Sequence, residues 1–500
     1  MVIASVELPR VLLDTTVLLD ASVSVPPTGR VLSVAPGQDA QGAVNQAQPG
    51  DVVELQAGGV YPGLILPHRP GWTYLRSSGP LPPAGSRVTS HDMLGLATLD
   101  GGGGAALRGG SFWRVMGLEL RSTTPWAIVD FHTGDAVDHV TLDRCWIHGT
   151  PTGDVTQGVR LDGTWIAVVD CSITDIHHRT NDAQALGTYD GWGPFKIVNC
   201  YLEASGENIM FGGWDPSIPG LIPSDIEIRG NYIRKPLSWQ GAGWVVKNLL
   251  EFKNARRVLV EGNILENSWE AQQQGWAVLL TPRNQNGASP WSTVEDVTFR
   301  RNWVRQVVGG FQVMGLDNIR QPSGRTSRVL VTHNLFTGIG AFPGVMAGKW
   351  MWLQNGPAQV TIDHNTIRHT GPMFAVSEAV PSGIVVTNNV ARAGVEGTMP
   401  ADTMWGGNVF VGGTPFGTNL PAATYDAVLD ASNHVIPPFT GMALDATDPG
   451  ADIDALTAAL ATVVSGAPLP PPPSAAPAGP RYTVQVLDAT GKVVGTIPLV

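Results

Sequence analysis

The chain has 500 residues and a net charge of −11, with only 15% charged residues against 60 Gly and 39 Pro. A 43% hydrophobic content at low charge excludes a disordered chain. The acidic balance argues against a broad nucleic-acid footprint, and so many Gly and Pro favour a turn-rich β protein over a helical one.

No apolar run approaches the ~20 residues of a membrane span. The opening "MVIASVELPR" has neither a basic segment nor a long apolar one, so no signal peptide is read there. Residues 1–30, with "VLLDTTVLLDASVSVPP", read as one or two strands outside the main fold. "GQDAQGAVNQAQPGDVVELQAGGVYPG" (37–63) places a short helix before a strand that opens on a Pro-Gly-Asp turn.

From residue 140 one phrase recurs, beginning "VTLDRCWIHG" and "IAVVDCSITD" and ending "VTIDHNTIRH" and "IVVTNNVARA". Its sixth residue is Cys145, Cys171, Cys200, Asn231, Asn263, Asn302, Asn334, Asn365 and Asn389, at intervals of 26, 29, 31, 32, 39, 32, 31 and 24 residues. Five and three positions earlier stand apolar residues, from Val140 and Leu142 to Ile384 and Val386. Two positions later the inward face resumes, from Ile147 to Ala391. Spacing by two is strand alternation onto one face. The intervals are too irregular for a propeller or a helical repeat.

The pattern predicts a coil of short parallel strands, one turn per repeat, with like side chains stacked ~4.8 Å apart. Each buried aliphatic stabilises by roughly 1.5–3 kcal/mol, so nine coils build a long core without helices. Asn at the bend tolerates left-handed backbone and can bond to the next Asn's backbone. The three cysteines show no metal spacing and read as filling the same internal stack.

On these repeats the sequence resembles the right-handed parallel β-helix proteins of the pectate-lyase-like superfamily, over roughly residues 31 to 400. The resemblance implies an all-β, single-stranded right-handed parallel β-helix solenoid, spanning 31–445, whose short N-terminal helix plugs the first coil.

Chemistry in such a fold belongs to outward side chains and long turns. Glu203, Arg234, Glu266 and Arg305 alternate in sign on adjacent coils and read as a surface ion-pair ladder. The turn "HHRTNDAQALGTYDGWGPF" (177–195), with Glu207 and Asp215, gathers Asp182 and Asp190. Two carboxylates ~5–9.5 Å apart would suit glycoside hydrolysis. His177-His178 read as turn hydrogen bonding rather than a metal pair.

Aligning "LLEFKN" (249–254) with "LLTPRN" (279–284) and "VMGLDN" (313–318) stacks Lys253, Arg283 and Asp317, with Asn254 and Asn284 beside them. Glu251 shares the face with Lys253, Lys247 sits two steps earlier in sequence order, and Tyr189 and the small Gly213 precede them in the column. A lysine one strand from an arginine has its charged form disfavoured, which suits a base. Trp192, Trp214 and Trp276 fall in or beside the same long turns and could stack on sugar rings. Lys and Arg on adjacent coils, with Glu and Asn near, are similar to the chondroitinase-B/alginate-lyase group of β-helix lyases. That implies Lys253 as base and Arg283 as electrophilic partner or acid. The group's Arg-His-Gly stretch and paired acidic calcium ligands are absent, and Pro282-Arg283-Asn284 stands instead.

The expected function is therefore cleavage of an extracellular or cell-surface uronic-acid polysaccharide by β-elimination, with Lys253, Arg283, Glu251, Asp190 and Glu207 as catalytic candidates. Calcium is a candidate ion at Glu207, Asp215 or Glu251, and no other cofactor is indicated. A glycoside hydrolase or epimerase using paired carboxylates, and a non-catalytic carbohydrate-binding surface protein, are the alternatives. Beyond the coils, 446–467 reads as a C-terminal helical cap, 468–480 ("PLPPPPSAAPAGP") as a proline-rich linker and 481–500 as a β-hairpin.

Overall fold

The computed structural model describes residues 6–10, 27–318, 320–413, 418–465, 482–487 and 493–499. Residues 11–26, which hold the strands expected at the N-terminus, and the linker at 468–480 lie outside the described residues.

The repeated apolar columns become a right-handed parallel β-helix whose 37 strands form one continuous sheet. Each coil contributes three short strands. In one coil these are Thr164–Val169, Ser172–Ile176 and Gln184–Thr188. Successive coils pair in parallel, so the chain builds three sheets, here termed first, second and third in chain order. In the first sheet Val140 pairs with Ile166, then Phe195, Ile226, Val258, Val297, Val329 and Val360. In the second, Ile147, Ile173, Leu202, Ile233, Leu265, Val304, Phe336 and Ile367 follow one another. These side chains are sealed in one core running the length of the coil. The expected register of both columns is correct.

The bend between the first and second sheets is where the structure adds chemistry. From Asn231 onward each backbone N–H donates to the side-chain oxygen of the Asn one coil ahead, at 2.8–3.1 Å. The side-chain amide also donates to that oxygen and to a carbonyl of the coil behind, as Asn302 does to Asn334 and to Val260. Peptide groups buried at a bend would otherwise lack partners. The ladder continues through Asn408 and Asn419, where the spacing shortens to 19 and 11 residues. Cys145, Cys171 and Cys200 occupy the earlier rungs as free, fully buried thiols. The left-handed residue is not the Asn itself but the one before it, among them Arg144, Asp170, Asn199, Arg301, His333 and His364. The turn is made there, which frees the Asn to point inward.

Helix α1 (Ala40–Gln46), N-capped by Asp39 accepting from Gly42 N at 2.8 Å, buries Ala40 and Val44 against the first coils. Helix α2 (Ile453–Ser465) lies along the flank of the coil instead of capping its end. Its Ile453, Leu456, Leu460 and Val463 pack on Ile264 and Leu335, beside Tyr232 and Trp303. Arg87 fastens this helix, donating to Val463 O at 3.0 Å and to Asn199 O and Gly230 O at 3.2 Å each. Strands Tyr482–Leu487 and Val493–Leu499 pair antiparallel as a separate hairpin. Among the described residues no helix is long and apolar enough to cross a membrane.

Candidate functional site

The outward ladder on the second sheet is an ion-pair array: Glu266 meets Arg305 at 2.9 Å and Arg234 at 3.8 Å. Pairs of this kind contribute little and suggest no chemistry.

The third sheet differs. Its outward column reads Arg160, Gly187, Met210, Glu251, Leu279 and Gln312, with no repeated side-chain type. Around Glu251 the strand ends gather an aperiodic set of charges. Lys253 Nζ lies 2.6 Å from Glu251 Oε1. Lys247 Nζ bridges Asp182 at 2.5 Å and Glu207 at 3.4 Å. Amides complete the set: Gln184 donates to Glu207 at 2.9 Å, and Asn248 to Glu251 at 2.9 Å. Burial, and then the like charge of Glu251, push the Glu207 carboxyl up.

Tyr189 stands at the end of Gln184–Thr188, its N–H held by Asp162 at 2.9 Å. Burial, then Glu207 and Asp182, push its phenol up, so it keeps its proton at neutral pH. The neighbouring coil supplies Gly213, where an added Cβ would come within 3.3 Å of Lys253 Cδ. Its φ of +104° is one that L side chains rarely adopt, so both backbone and space call for glycine.

Several expected site residues occupy different places. The strands pair Glu251 with Leu279, two residues away from the alignment of "LLEFKN" on "LLTPRN". Beyond the strand end, Thr281 N donates to Phe252 O and Arg283 N to Lys253 O, so Pro282 is an extra residue in the path. The main chains of Lys253 and Arg283 thus lie adjacent while their charges turn to different partners. Arg283 faces Asp317 at 3.7 Å and Gln285 at 2.5 Å, and Lys253 faces Glu251. The expectation that Arg283 disfavours the charge on Lys253 loses its basis.

Asn254, Asn284 and Asp317 are buried and tie turns together. Asn254 donates to Leu221 O, and Asp317 accepts from Asn284 N. None of the three can meet a ligand. Glu207 and Glu251 are fully buried as well, so they act on the lysines and not on a substrate. Asp190 braces a turn by accepting from Ser217 N and Oγ. Trp276 is 0% exposed and stacks toward the half-buried Trp352, whereas Trp192 and Trp214 are 44% and 57% exposed. The latter two follow consecutive third-sheet strands, Gln184–Thr188 and Ile209–Phe211, at the same end as Lys253.

His177 is buried against Trp244 at 3.8 Å, and His178 accepts from the N–H groups of Thr180 and Asn181. Neither arrangement is a metal site. The carboxylates named for calcium do not fit that ion. Asp215 accepts from Asn286 N, Ala288 N and Ser289 Oγ, while Glu207 and Glu251 are matched by lysines and amides. Among the described residues no three His, Cys, Asp or Glu side chains converge as a metal cage. Sequence reasoning did not anticipate that Lys247 would join two coils, nor did it see Lys235 below them. The available signal for Lys235 was a cation at the fourth position after the bend, where the flanking coils carry Ala204 and Asn267.

No protein-family model matches the chain, and no curated protein matches it. Solved structures do. The PL6 family alginate lyase AlyGC is similar over 89% of this chain and 59% of its own length, at 12% identity and a TM-score of 0.53. An alginate lyase from Paenibacillus sp. str. FPU-7 matches 75% of this chain and 97% of its own, at 16% identity and a TM-score of 0.34. A tailspike protein of E. coli bacteriophage HK620, solved with a pentasaccharide, matches 76% and 68%, at 9% identity and a TM-score of 0.43. At 12% identity the likeness to AlyGC shows the parallel β-helix fold alone.

Proposed function

We propose that the chain cleaves an extracellular uronic-acid polysaccharide by β-elimination in the groove over the third sheet. One observation carries the reading: the carboxylates Glu207 and Glu251 are wholly buried, whereas Lys253, Lys247 and Tyr189 remain partly exposed above them. Paired-carboxylate hydrolysis needs two acids in contact with the glycosidic bond. Here the groups within reach of a sugar are two amines, a phenol and a single carboxylate, Asp182, which Lys247 engages. Their similarity to the equipment of a lyase, on a fold shared with alginate lyase AlyGC, supports the assignment.

In this reading Lys253 takes the proton α to the uronate carboxylate. The C–H electrons form the new C=C bond and the bond to the glycosidic oxygen breaks. Tyr189, kept protonated by burial, gives its proton to the departing oxygen. The ammonium formed on Lys253 is stabilised by Glu251, an attraction that grows as the proton arrives. Lys247, held by Asp182 and Glu207, supplies positive charge to the carboxylate as the enolate develops. Trp192 and Trp214 offer exposed indole faces to sugar rings on adjacent coils. Arg283 borders the groove beside Lys253.

The test is incubation with a panel of uronic-acid polysaccharides. New ultraviolet absorbance from unsaturated sugar ends is expected. New reducing ends without that absorbance would make the protein a hydrolase, and binding without either product would make it a receptor.

A further inference from the structure

Beyond Glu251 the outward face of the third sheet changes character. Its column runs from Glu251 through Leu279 and Gln312 to Trp352. At ~4.8 Å per coil, Trp352 stands three coils, or ~14 Å, from Glu251 along the axis. In strand Gly309–Met314 the alternation sends Phe311 and Val313 into the core and leaves Gln312 outward and half-buried. In Met351–Gln354 it sends Met351 and Leu353 inward and leaves Trp352 and Gln354 outward and half-buried.

These side chains are held in place without being used up. Gln312 Nε2 donates to Gln354 Oε1 at 2.9 Å, and Gln354 Nε2 donates to Glu378 Oε1 at 2.8 Å. Among the described residues Gln312 Oε1 accepts from no protein group. Trp352 Nε1 donates to Ser377 Oγ at 2.8 Å, and its ring stacks toward Trp276, with centroids 6.3 Å apart at 27°. Trp276 has room to reach it because its neighbour on the next coil is Gly309, where an added Cβ would lie 2.4 Å from Trp276 Cε3. The outward neighbour of Trp352 on the following coil is Ala375, too small to cover an indole.

An amide that only ties coils together closes its bonds, as the Asn ladder does. The Gln pair keeps acceptor and donor capacity beside a part-exposed indole. Sugar hydroxyls both donate and accept, and the C–H face of a sugar ring packs on an aromatic one. The charges select the kind of sugar. The outward positions of these coils hold Gln312, Met314, Trp352, Gln354, Ala375 and Ser377, with no lysine or arginine among them. The charge bonded to the set is Glu378, an exposed carboxylate that would repel a uronate. Lys349, just before Trp352 in sequence, is matched by Glu396 at 2.5 Å.

We infer that Gln312, Trp352 and Gln354 form a subsite for an uncharged sugar, about three coils along the groove from the reacting uronate. As an arm of the cleavage groove it rests on the function proposed above, and it narrows the substrate to a heteropolysaccharide that carries uncharged sugars beside its uronates. The coils around Lys253 read charge, and these coils read hydroxyls and an apolar ring face.

The experiment is calorimetric titration of the full chain with cellohexaose, xylohexaose, mannohexaose and chitohexaose, and with hexamannuronate as the charged control. At least one uncharged hexasaccharide should bind, and Trp352→Ala should weaken that binding about tenfold. If Trp352→Ala does not fold, Gln354→Ala decides: it removes an outward amide and no core contact, and should weaken the same binding about threefold or more. Binding of no uncharged hexasaccharide, or binding unchanged in the deciding variant, overturns the inference. So does a loss that falls on hexamannuronate and spares the uncharged sugars. The two readings fail separately. Unsaturated ends from a uronate polymer, with no uncharged hexasaccharide bound, would strike the subsite and leave the lyase. Trp352-dependent binding, with no unsaturated ends from any uronate polymer, would strike the lyase and leave the sugar site.

Discussion

The Asn ladder at the second-sheet bend and the charged face of the third sheet are made by the same coils, yet their chemistry is arranged by opposite rules. Along the ladder each rung repeats the last: an amide accepts from the coil behind and donates to it, with no net charge and no partner left over. On the third sheet, Gly187, Met210, Glu251 and Leu279 occupy one column on consecutive coils and share no property. The charges there are matched by particular partners one and two coils away, as Lys247 is by Glu207 and Asp182. A solenoid can therefore carry polar groups in its interior cheaply when they repeat, because one solution serves every coil. Where the polar groups do not repeat, the arrangement suits a ligand.

The sharpest way to break this contrast is to disable one member on each side. Lys253→Gln keeps a donor within reach of Glu251 but removes the base, and should lower the initial rate of unsaturated-end formation by about 10²- to 10⁴-fold while the fold persists. Activity within tenfold of wild type would remove Lys253 from the mechanism. Asn302→Ala should do the reverse. It takes the acceptor from Asn263 N and the donor from Val260 O, a loss of about 2–6 kcal/mol in urea unfolding if each of these two buried groups costs about 1–3. The folded fraction should turn over normally. A stability change under 1 kcal/mol would mean that the ladder is ornament.

The two regions should also separate by pH. Ladder amides do not titrate, so the stability difference between Asn302→Ala and wild type should be constant from pH 5 to 8. Glu207 behaves otherwise. Its folded pKa is raised above the ordinary 4.5, so the unfolded chain releases this proton first. Its stabilising contribution is complete below 4.5 and is lost as pH rises through the folded value. Glu207→Gln removes that loss, and its stability relative to wild type should climb with pH across this window. A flat or falling difference would show that burial does not raise the Glu207 carboxyl.

How far the sequence reveals each region follows from the same contrast. The core columns could be read because nine copies of "apolar, one apart, apolar, bend, apolar" report a single environment, and Val140 or Ile147 needs only its own period to be placed. The bend conformation was misplaced by one residue, since Asn accepts left-handed backbone readily and the actual left-handed positions hold Arg144, Asp170 and His333, which do so less often. The third-sheet site offered no second copy to check against. The strands pair two residues away from the expected alignment, and the extra residue Pro282 then brings Arg283 N back to Lys253 O; nothing local announced either change. Glu251 occupies the outward column yet is 0% exposed, and Glu207 stands two residues before the core-facing Ile209, so a polar side chain takes a place that the apolar pattern reserves for the core. Trp276 is buried as well, while Trp192 and Trp214 do stand exposed.

The smallest expected effect tests whether the three cysteine rungs belong to the ladder. Cys200 N donates to Asn231 Oδ1 at 2.8 Å, and its sulfur lies 3.4 Å from Val168 O, a carbonyl of the coil behind like those that Asn Nδ2 reaches from later rungs. The preceding Asn199 is already left-handed, as the residues before the Asn rungs are. Cys200→Asn would therefore find its backbone bend, its acceptor at Val168 and its neighbour at Asn231 in place. It would also offer Cys171 N a side-chain oxygen. Against these gains stand the greater bulk of the amide and the loss of a small apolar thiol from a tight interior. With each hydrogen bond contributing about 1 kcal/mol and overpacking costing about 1–3, the net change in urea unfolding should lie within about 1 kcal/mol of zero. A loss well beyond that would show that the cysteine coils are packed more closely than the asparagine coils, and that the ladder begins at Asn231 because the space for an amide begins there.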